Sequence, residues 1–132
     1  MRKAEREVKD PAEKFAALMR CPYIVLAANG GSAPYQVPLN FGAALRKEGL
    51  VLYFHCAKEG KKLELLRKGG EVSFCAANML RVFNKGIAPC GYTTDYESVC
   101  GRGSAEILRE EGERLEGLKI LMAHYTGETF SD

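Results

Sequence analysis

A glycine followed by two lysines, Gly60-Lys61-Lys62, is the segment of the sequence best suited to bind an anion. It lies where an apolar, strand-like run gives way to leucines of helical spacing, so the glycine falls at a helix start. Unpaired backbone N–H groups and the positive helix end favour an anion there, and two ammonium groups add charge-assisted hydrogen bonds. We therefore expect a terminal phosphate to bind here. A solvated helix start with exposed lysines is the alternative.

The histidine nearest to this corner is His55, which follows the apolar run 50–54. Its imidazole could donate a hydrogen bond to a bound cofactor or relay a proton near neutral pH, whereas a structural role on a strand is the alternative. His124, in the C-terminal helical pattern, has less to support a function. Since the histidines and the scattered cysteines lack the spacing of metal ligands, we predict no metal site.

The segment Val37 to Phe41 contains a proline, a side-chain amide and an aromatic ring within one strand. A flat heteroaromatic ring with polar edges would use these elements together with the backbone groups that Pro38 leaves free. An equal alternative is that Phe41 belongs to the core. Neither a Walker loop nor the complete glycine set of a dinucleotide turn is present in the sequence.

Composition limits the class of protein. The 132 residues are 46% hydrophobic and 27% charged, which indicates a single globular domain over residues 1–132. No apolar run approaches the roughly 20 residues of a membrane span, and no secretory signal is evident, so we expect a cytoplasmic protein without a membrane partner. Five cysteines without C-x-x-C spacing agree with that location, and most are expected in the core. A net charge of +2 without a basic, aromatic stripe argues against nucleic acid, although an oligonucleotide-binding barrel stays a weak alternative.

Residue periodicity predicts five strands and three helices. The first helix is capped by Asp10, begins at Pro11 and ends near Arg20. Strands are expected over 23–29, 35–41, 50–56, 72–77 and 98–107, with an irregular stretch over 78–94. The remaining helices are a short one over 58–70 and one marked by Leu115, Leu118, Met122 and Tyr125 that closes at Gly127. Strands joined by short turns favour a mainly β (α+β) fold, a small antiparallel barrel with flanking helices, over a doubly wound one.

Three features refine this prediction. Pro38 cannot donate to a sheet ladder, so its strand is an edge strand or carries a bulge there. The strand that begins at Leu50 is apolar on both faces and is expected to run through the core. Gly101 and Gly103 share one face of the last strand, which indicates sharp bending as at a barrel corner.

Four segments together resemble the pyridoxamine 5'-phosphate oxidase-like flavoproteins, and among these the nitroimidazole-resistance branch. They are VPLNFG at 37–42, LYFHCAKEGKKL at 52–63, YESVCGRGSA at 96–105 and MAHYTG at 122–127. The segment REVKD at 6–10 adds to the likeness, which covers nearly the whole chain.

The resemblance implies a split β-barrel that forms a homodimer and holds FMN at the subunit interface. By position, Lys61 and Lys62 would bind the FMN phosphate, helped by the Gly60 backbone. The segment along the isoalloxazine ring would comprise Pro38, Leu39, Asn40 and Phe41. Further residues of the same pocket would be His55, Ala57 and Ser98, of which His55 is the candidate catalytic group.

The activity implied by the resemblance is FMN-dependent reduction of nitro-aromatic, nitroimidazole-like small molecules. One alternative is a flavin- or haem-binding module without turnover, because a fold does not fix a function. Pyridoxamine 5'-phosphate oxidase activity is less favoured, since no second cluster of cations is evident for a substrate phosphate. Members of the branch usually continue into a further strand, whereas this sequence ends at Asp132. Either the barrel lacks that strand or the chain is a shortened version, and both options weaken the expected edge protection and dimer packing.

Overall fold

The computed structural model describes residues 4–55, 59–86 and 89–129. These residues form six strands, three α-helices and two short 3-10 turns at Ala4–Arg6 and Pro89–Gly91. The helices are α1 (Pro11–Met19), α2 (Lys61–Arg67) and α3 (Glu111–Thr126). The strands are β1 (Ile24–Asn29), β2 (Pro34–Leu39), β3 (Gly42–Arg46), β4 (Gly49–Tyr53), β5 (Glu71–Asn84) and β6 (Tyr92–Ser104). No helix in these three ranges combines the length and apolar character that a membrane span requires.

The strands form two antiparallel sheets, one of four strands in the order β2-β1-β5-β6 and one hairpin of β3 and β4. The strands β5 and β6 pair from Glu71 opposite Ser104 to Asn84 opposite Tyr92. The strand β1, in contrast, pairs with β5 only at residues 73–75. The far half of the β5–β6 hairpin, residues 78–84 and 92–97, therefore has no third strand beside it in the described chain. We call this half the arm.

The core lies on the inner face of the four-stranded sheet, between it, α1 and the junction of β2 with β3. Its largest fully buried side chains are Leu18, Ile24 and Phe41. The helix α3 packs against β3 and β4, where Gly42 permits close approach: a Cβ there would lie 2.6 Å from Leu121 Cα. At the other end of this contact, a Cβ on Gly117 would lie 2.8 Å from the Tyr53 ring. The close packing of α3 on the hairpin therefore requires glycine at both positions, Gly42 and Gly117.

Several predictions at the ends of elements are confirmed. The Asp10 carboxylate accepts a hydrogen bond from Ala12 N at 3.2 Å and caps α1, which ends at Met19. Pro38 lies in β2, an edge strand of its sheet. The left-handed Gly127, with φ of 72°, closes α3.

The predicted irregular stretch over 78–94 is wrong, because β5 continues to Asn84 and β6 begins at Tyr92. The register shifts between Met79 and Arg81, so a β-bulge breaks the period of two that would have revealed the strand. The strand β3 was not predicted, because its small residues Gly42, Ala43 and Ala44 do not alternate in polarity.

The expectation that the strand from Leu50 runs through the core is wrong as well. The strand β4 pairs only with β3, and Leu50 is 41% exposed. From Gly49 to Tyr53 the residues are exposed or half-buried, and Leu52 packs against the core only from its margin.

Of the four cysteines within the described residues, only Cys21 is buried as predicted, since Cys75, Cys90 and Cys100 are exposed. Cys56 lies outside the described residues. Side chains of a strand alternate between faces, and Cys75 and Cys100 fall on the outward face of the sheet. Gly101, on the inward face, lies under the Phe74 ring: a Cβ there would be 2.5 Å from Phe74 Cε1. Close approach of a ring therefore explains this glycine.

Candidate functional site

Two cationic side chains, those of Lys61 and Lys62, lie at the start of α2. Gly60 precedes the helix with φ of 137°, a conformation that favours glycine, and no side chain caps the first turn. Lys61 is exposed and Lys62 half-buried, and within the three described ranges neither forms an ion pair. Apart from its chain neighbours, no described residue has an atom within 4 Å of the position that a Gly60 Cβ would occupy. An anion could approach both ammonium groups and the backbone of the first turn.

His55 lies two residues beyond the end of β4 and is exposed. No hydrogen bond joins its ring to any other residue within the described part of the chain. The imidazole is therefore accessible from solvent. Ala57, predicted for the same pocket, lies outside the described residues.

The predicted ring segment presents its side chains to two different environments. Pro38 and Asn40 are exposed, whereas Leu39 is 9% exposed and Phe41 is fully buried. The interpretation of Phe41 as a core residue is therefore confirmed. A planar ligand on the outer side of this segment would meet the Pro38 and Asn40 side chains and the intervening backbone.

Two residues of α3, for which no functional role was predicted, bind the backbone of Phe41. The backbone N–H of Phe41 donates to the Tyr125 hydroxyl at 3.0 Å, and that hydroxyl donates to Pro22 O at 2.8 Å. His124 Nδ1 lies 2.7 Å from Phe41 O, and its Nε2 lies 2.9 Å from Met19 O. We call His124 and Tyr125 the clamp, because they hold both backbone polar groups of Phe41 and two carbonyls at the end of α1.

Each polar side-chain atom of the clamp contacts a backbone group. Each ring nitrogen of His124 faces a carbonyl oxygen, that of Phe41 or that of Met19, and the tautomer decides which nitrogen donates. The ring also lies 4.5 Å from the Phe41 ring, measured between centroids. The segment MAHYTG carries the resemblance, but the spacing of its residues gives no indication of which backbone groups it reaches.

Ser98, another predicted contact, shares the outer face of the four-stranded sheet with Pro38. Opposed residues share a face, and one row runs through Pro38, Val25, Cys75 and Cys100. Ser98 is two residues from Cys100 and therefore faces the same way. Three strand spacings of about 4.8 Å separate Pro38 from β6, roughly 14 Å in all. The structure thus places Pro38 and Ser98 on one face but not in contact.

A carboxylate beside Ser98 ties β6 to the end of α1. Glu97 accepts hydrogen bonds from Arg20 Nε at 2.8 Å and from Arg20 Nη2 at 2.7 Å. Asn78 Nδ2 adds a longer contact of 3.4 Å. The hydrogen bonds from Arg20 lower the pKa of Glu97 and outweigh its partial burial, so the carboxylate stays charged.

A groove of about 1730 Å³ opens between the inner face of the four-stranded sheet and the β3–β4 hairpin. Its lining includes His55, Leu52, Phe54, Leu63 and Phe74. Among the described residues predicted to contact FMN, only His55 lines this groove. Its lining does not include the two lysines, Pro38 or Ser98, and the last two face outward from the four-stranded sheet.

The two antiparallel sheets and the flanking helices define a split barrel, a flavin-binding class of fold. Residues 10–132 match the family model described as pyridoxamine 5'-phosphate oxidase, and the chain belongs to that family. The predicted family is thereby confirmed.

Solved structures that are similar to this chain include the following two. One is a candidate 5-nitroimidazole antibiotic resistance protein from Bacteroides thetaiotaomicron, with a TM-score of 0.74 and 26% identity over 94% of this chain and 71% of that one. The other is the flavocytochrome Anf3 from Azotobacter vinelandii, with a TM-score of 0.68 and 16% identity, a likeness of fold. It covers 92% of this chain but only 58% of the flavocytochrome. No curated protein matches the chain in sequence.

Proposed function

We propose that this protein binds FMN and is an oxidoreductase that reduces nitro-aromatic small molecules of the nitroimidazole type. The observation that carries the proposal is the pair of lysines without ion-pair partners, Lys61 and Lys62, at the open start of α2 in a flavin-binding fold. The similarity to a candidate 5-nitroimidazole resistance protein supports the substrate class.

The phosphate is the part of FMN that the described residues fit most clearly. A phosphate dianion accepts charge-assisted hydrogen bonds from ammonium groups, and Gly60 leaves space for it to approach the backbone. The helix α2 has only seven residues, so the ammonium charges contribute more than its dipole. Pro38 and Asn40 would then contact the ring system from the outer surface.

When bound, the flavin would supply the electrons for the reduction. Conversion of a nitro group to a nitroso group consumes two electrons and two protons and releases one water. We assign proton donation to the exposed His55 imidazole or to water beside it, because imidazole exchanges protons near neutral pH. The Phe41 backbone, held by the clamp, would keep the ring-binding segment in place.

The proposal includes a homodimer with FMN at the subunit interface. A two-stranded hairpin is marginal by itself, yet the arm is built from one and exposes large apolar side chains. These are Met79 at 65%, Leu80 at 55%, Val82 at 54%, Tyr92 at 62% and Tyr96 at 58%. Tyr92 and Tyr96 share the face of Ser98, so a second copy that covers the arm would approach the proposed flavin surface.

The phosphate assignment is tested by measuring FMN and riboflavin affinity for the wild-type chain and Lys62→Ala. The loss of a hydrogen bond between charged groups, worth about 1.5–3 kcal/mol, should weaken FMN binding by about 10- to 100-fold. Riboflavin, which lacks the phosphate, should bind the variant unchanged. Lys68→Ala, at the other end of α2, removes the same charge and is the control. Equal losses for both ligands would assign Lys62 to another contact.

The oxidoreductase assignment needs a separate experiment. The flavin is reduced anaerobically with dithionite, a nitroimidazole is added, and reoxidation is followed by flavin absorbance. Rapid reoxidation that slows in His55→Ala supports the enzyme and the role of His55. A reduced flavin that persists would instead support the alternative of a flavin-binding module, which the likeness in fold to a flavocytochrome keeps open.

The dimer is tested by sedimentation of the flavin-loaded protein. We expect a dimer for the wild-type chain and a monomer for Tyr96→Glu, because a charge would be buried at the interface. Lys47→Glu, on the turn between β3 and β4, is the control and should remain dimeric. A monomeric wild-type protein would exclude the interface but leave the phosphate assignment open to its own test. The cytoplasmic location stays a prediction from the sequence.

A further inference from the structure

Two thiols face each other across β5 and β6, the strand pair at one edge of the four-stranded sheet. Cys75 on β5 lies directly opposite Cys100 on β6, and their sulfur atoms are 3.4 Å apart. Both side chains are exposed on the outward face. No chemistry described above uses this pair.

The backbone already satisfies the geometry of a disulfide. Opposed residues of antiparallel strands have Cα atoms about 4.5 or 5.5 Å apart, depending on the type of pair. Both distances fall within the range of about 4.4–6.8 Å at which two cysteines can be bridged. A bond would therefore require rotation of the two side chains and little movement of the strands.

We propose that Cys75 and Cys100 form a reversible dithiol–disulfide site that is oxidised by low-molecular-weight disulfides of the glutathione type. The pair lies on the outer face that also carries the proposed flavin contacts Pro38 and Ser98, but the exchange uses no flavin and does not depend on it. Cys21 is buried and donates to Ala17 O, and Cys90 lies in the turn Pro89–Gly91 beyond the arm. Neither occupies a position opposite another cysteine in the register of the described strands.

The two sulfurs have different roles. The Cys100 thiol donates a hydrogen bond to Cys75 Sγ, and this bond, followed by burial, raises the pKa of Cys100. Cys100 therefore keeps its proton longer, and Cys75 is the attacking sulfur.

The exchange proceeds in two balanced steps. The Cys75 thiolate attacks one sulfur of glutathione disulfide, which forms a mixed disulfide and releases one glutathione thiolate. Cys100 then loses its proton and attacks Cys75 Sγ, which forms the protein disulfide and releases the second glutathione. In sum, two protein thiols are oxidised and one glutathione disulfide is reduced to two glutathione thiols.

The position of the pair gives the bond a structural consequence. Cys75 is the last residue of β5 that pairs with β1, so the pair lies where the four-stranded sheet narrows into the arm. A disulfide there would fix β5 to β6 at the base of the arm. Oxidation would thus restrict opening of the segment that we propose as the subunit contact.

The experiment treats the fully reduced, full-length protein with glutathione disulfide, blocks the remaining thiols with N-ethylmaleimide and measures intact mass and peptide linkage. The sequence has five cysteines, and we expect the number of blocked thiols to fall by two, with Cys75 and Cys100 in one linked pair. Dithiothreitol should restore both. Because the second step is intramolecular, a glutathione adduct on Cys75 should be converted to the linked pair before it accumulates, whereas any adduct on Cys90 should persist.

Single variants separate the roles of the two sulfurs. Cys100→Ser should accumulate a glutathione adduct on Cys75, Cys75→Ser should accumulate one on Cys100, and neither variant should form the linked pair. Cys90→Ser is the matched control, an exposed cysteine outside the pair, and should oxidise like the wild-type chain. Thiol loss unaffected by Cys75→Ser, a bond between two chains, or stable adducts on both cysteines without a link would each overturn the proposal.

Discussion

The clamp differs from the start of α2 at Lys61 and Lys62, which we call the lysine corner, in whether its polar side chains have partners among the described residues. At the clamp, His124 and Tyr125 are engaged with backbone groups of Phe41, Met19 and Pro22. At the start of α2, Lys61 and Lys62 have no ion-pair partner in the described residues. Polar groups with internal partners stabilise the fold, whereas groups left free are available to a ligand. The difference identifies His124 as structural, although the sequence presents it beside a motif of the family.

The largest effect is expected at the centre of the clamp. Phe41→Ala removes a fully buried ring and leaves a cavity, so we expect a loss of about 3–5 kcal/mol in the free energy of unfolding. Urea denaturation measures this. Asn40→Ala, one residue away but exposed, should stay within about 0.5 kcal/mol of the wild-type chain. A small effect at Phe41 would mean that the clamp does not hold a core residue.

A smaller loss is expected for His124→Leu. The change leaves the carbonyls of Phe41 and Met19 without their donor, at a cost of about 1–3 kcal/mol in unfolding free energy. The exposed Met122 of the same helix provides the control, and Met122→Leu should be close to neutral. If both variants unfold at the same urea concentration, the two contacts of His124 contribute nothing to stability.

The ion pair of Glu97 and Arg20 should contribute less, and only while the carboxylate is charged. The pKa of Glu97 is lowered in the folded protein, so its contribution is present above the unfolded pKa and disappears as the pH falls through the folded pKa. Glu97→Gln should therefore lower the Tm at pH 7 and have little effect at strongly acidic pH. A Tm difference that is independent of pH would assign the effect to packing.

The smallest effect on stability is expected at the lysine corner. The double variant Lys61→Ala, Lys62→Ala should unfold within about 0.5 kcal/mol of the wild-type chain when no ligand is present. Added FMN should raise the Tm of the wild-type chain but not of this variant, because a ligand stabilises only the state that binds it. A stability loss without ligand comparable to that of His124→Leu would show that the lysines are structural.

Features set by neighbouring residues could be predicted from the sequence. The Asp10-Pro11 start of α1, the stop at Gly127 and the edge position of Pro38 depend on local geometry, and each is found in the structure. The resemblance supplied the family and the fold, which the match over residues 10–132 confirms.

Features set by contacts between residues distant in sequence could not be predicted. The clamp joins α3 to residues more than 80 positions away, and no local pattern encodes that distance. The arm was missed because a bulge after Met79 interrupts its alternation. The outward cysteines were misplaced because composition alone does not say which face of a strand a residue occupies. The predicted contacts of FMN remain predictions, and the affinity measurements on Lys62→Ala are their test.

The attachment of α3 to Phe41 has a consequence for motion. Because the Phe41 backbone N–H is bonded to the Tyr125 hydroxyl, this amide can exchange with solvent only when the C-terminal helix lifts away or the whole chain unfolds. The amides of α3 and that of Phe41 should therefore exchange their hydrogens at similar rates, as one cooperative unit. The segment proposed to contact the flavin ring would then open only together with α3, and one deuterium-uptake experiment could measure both.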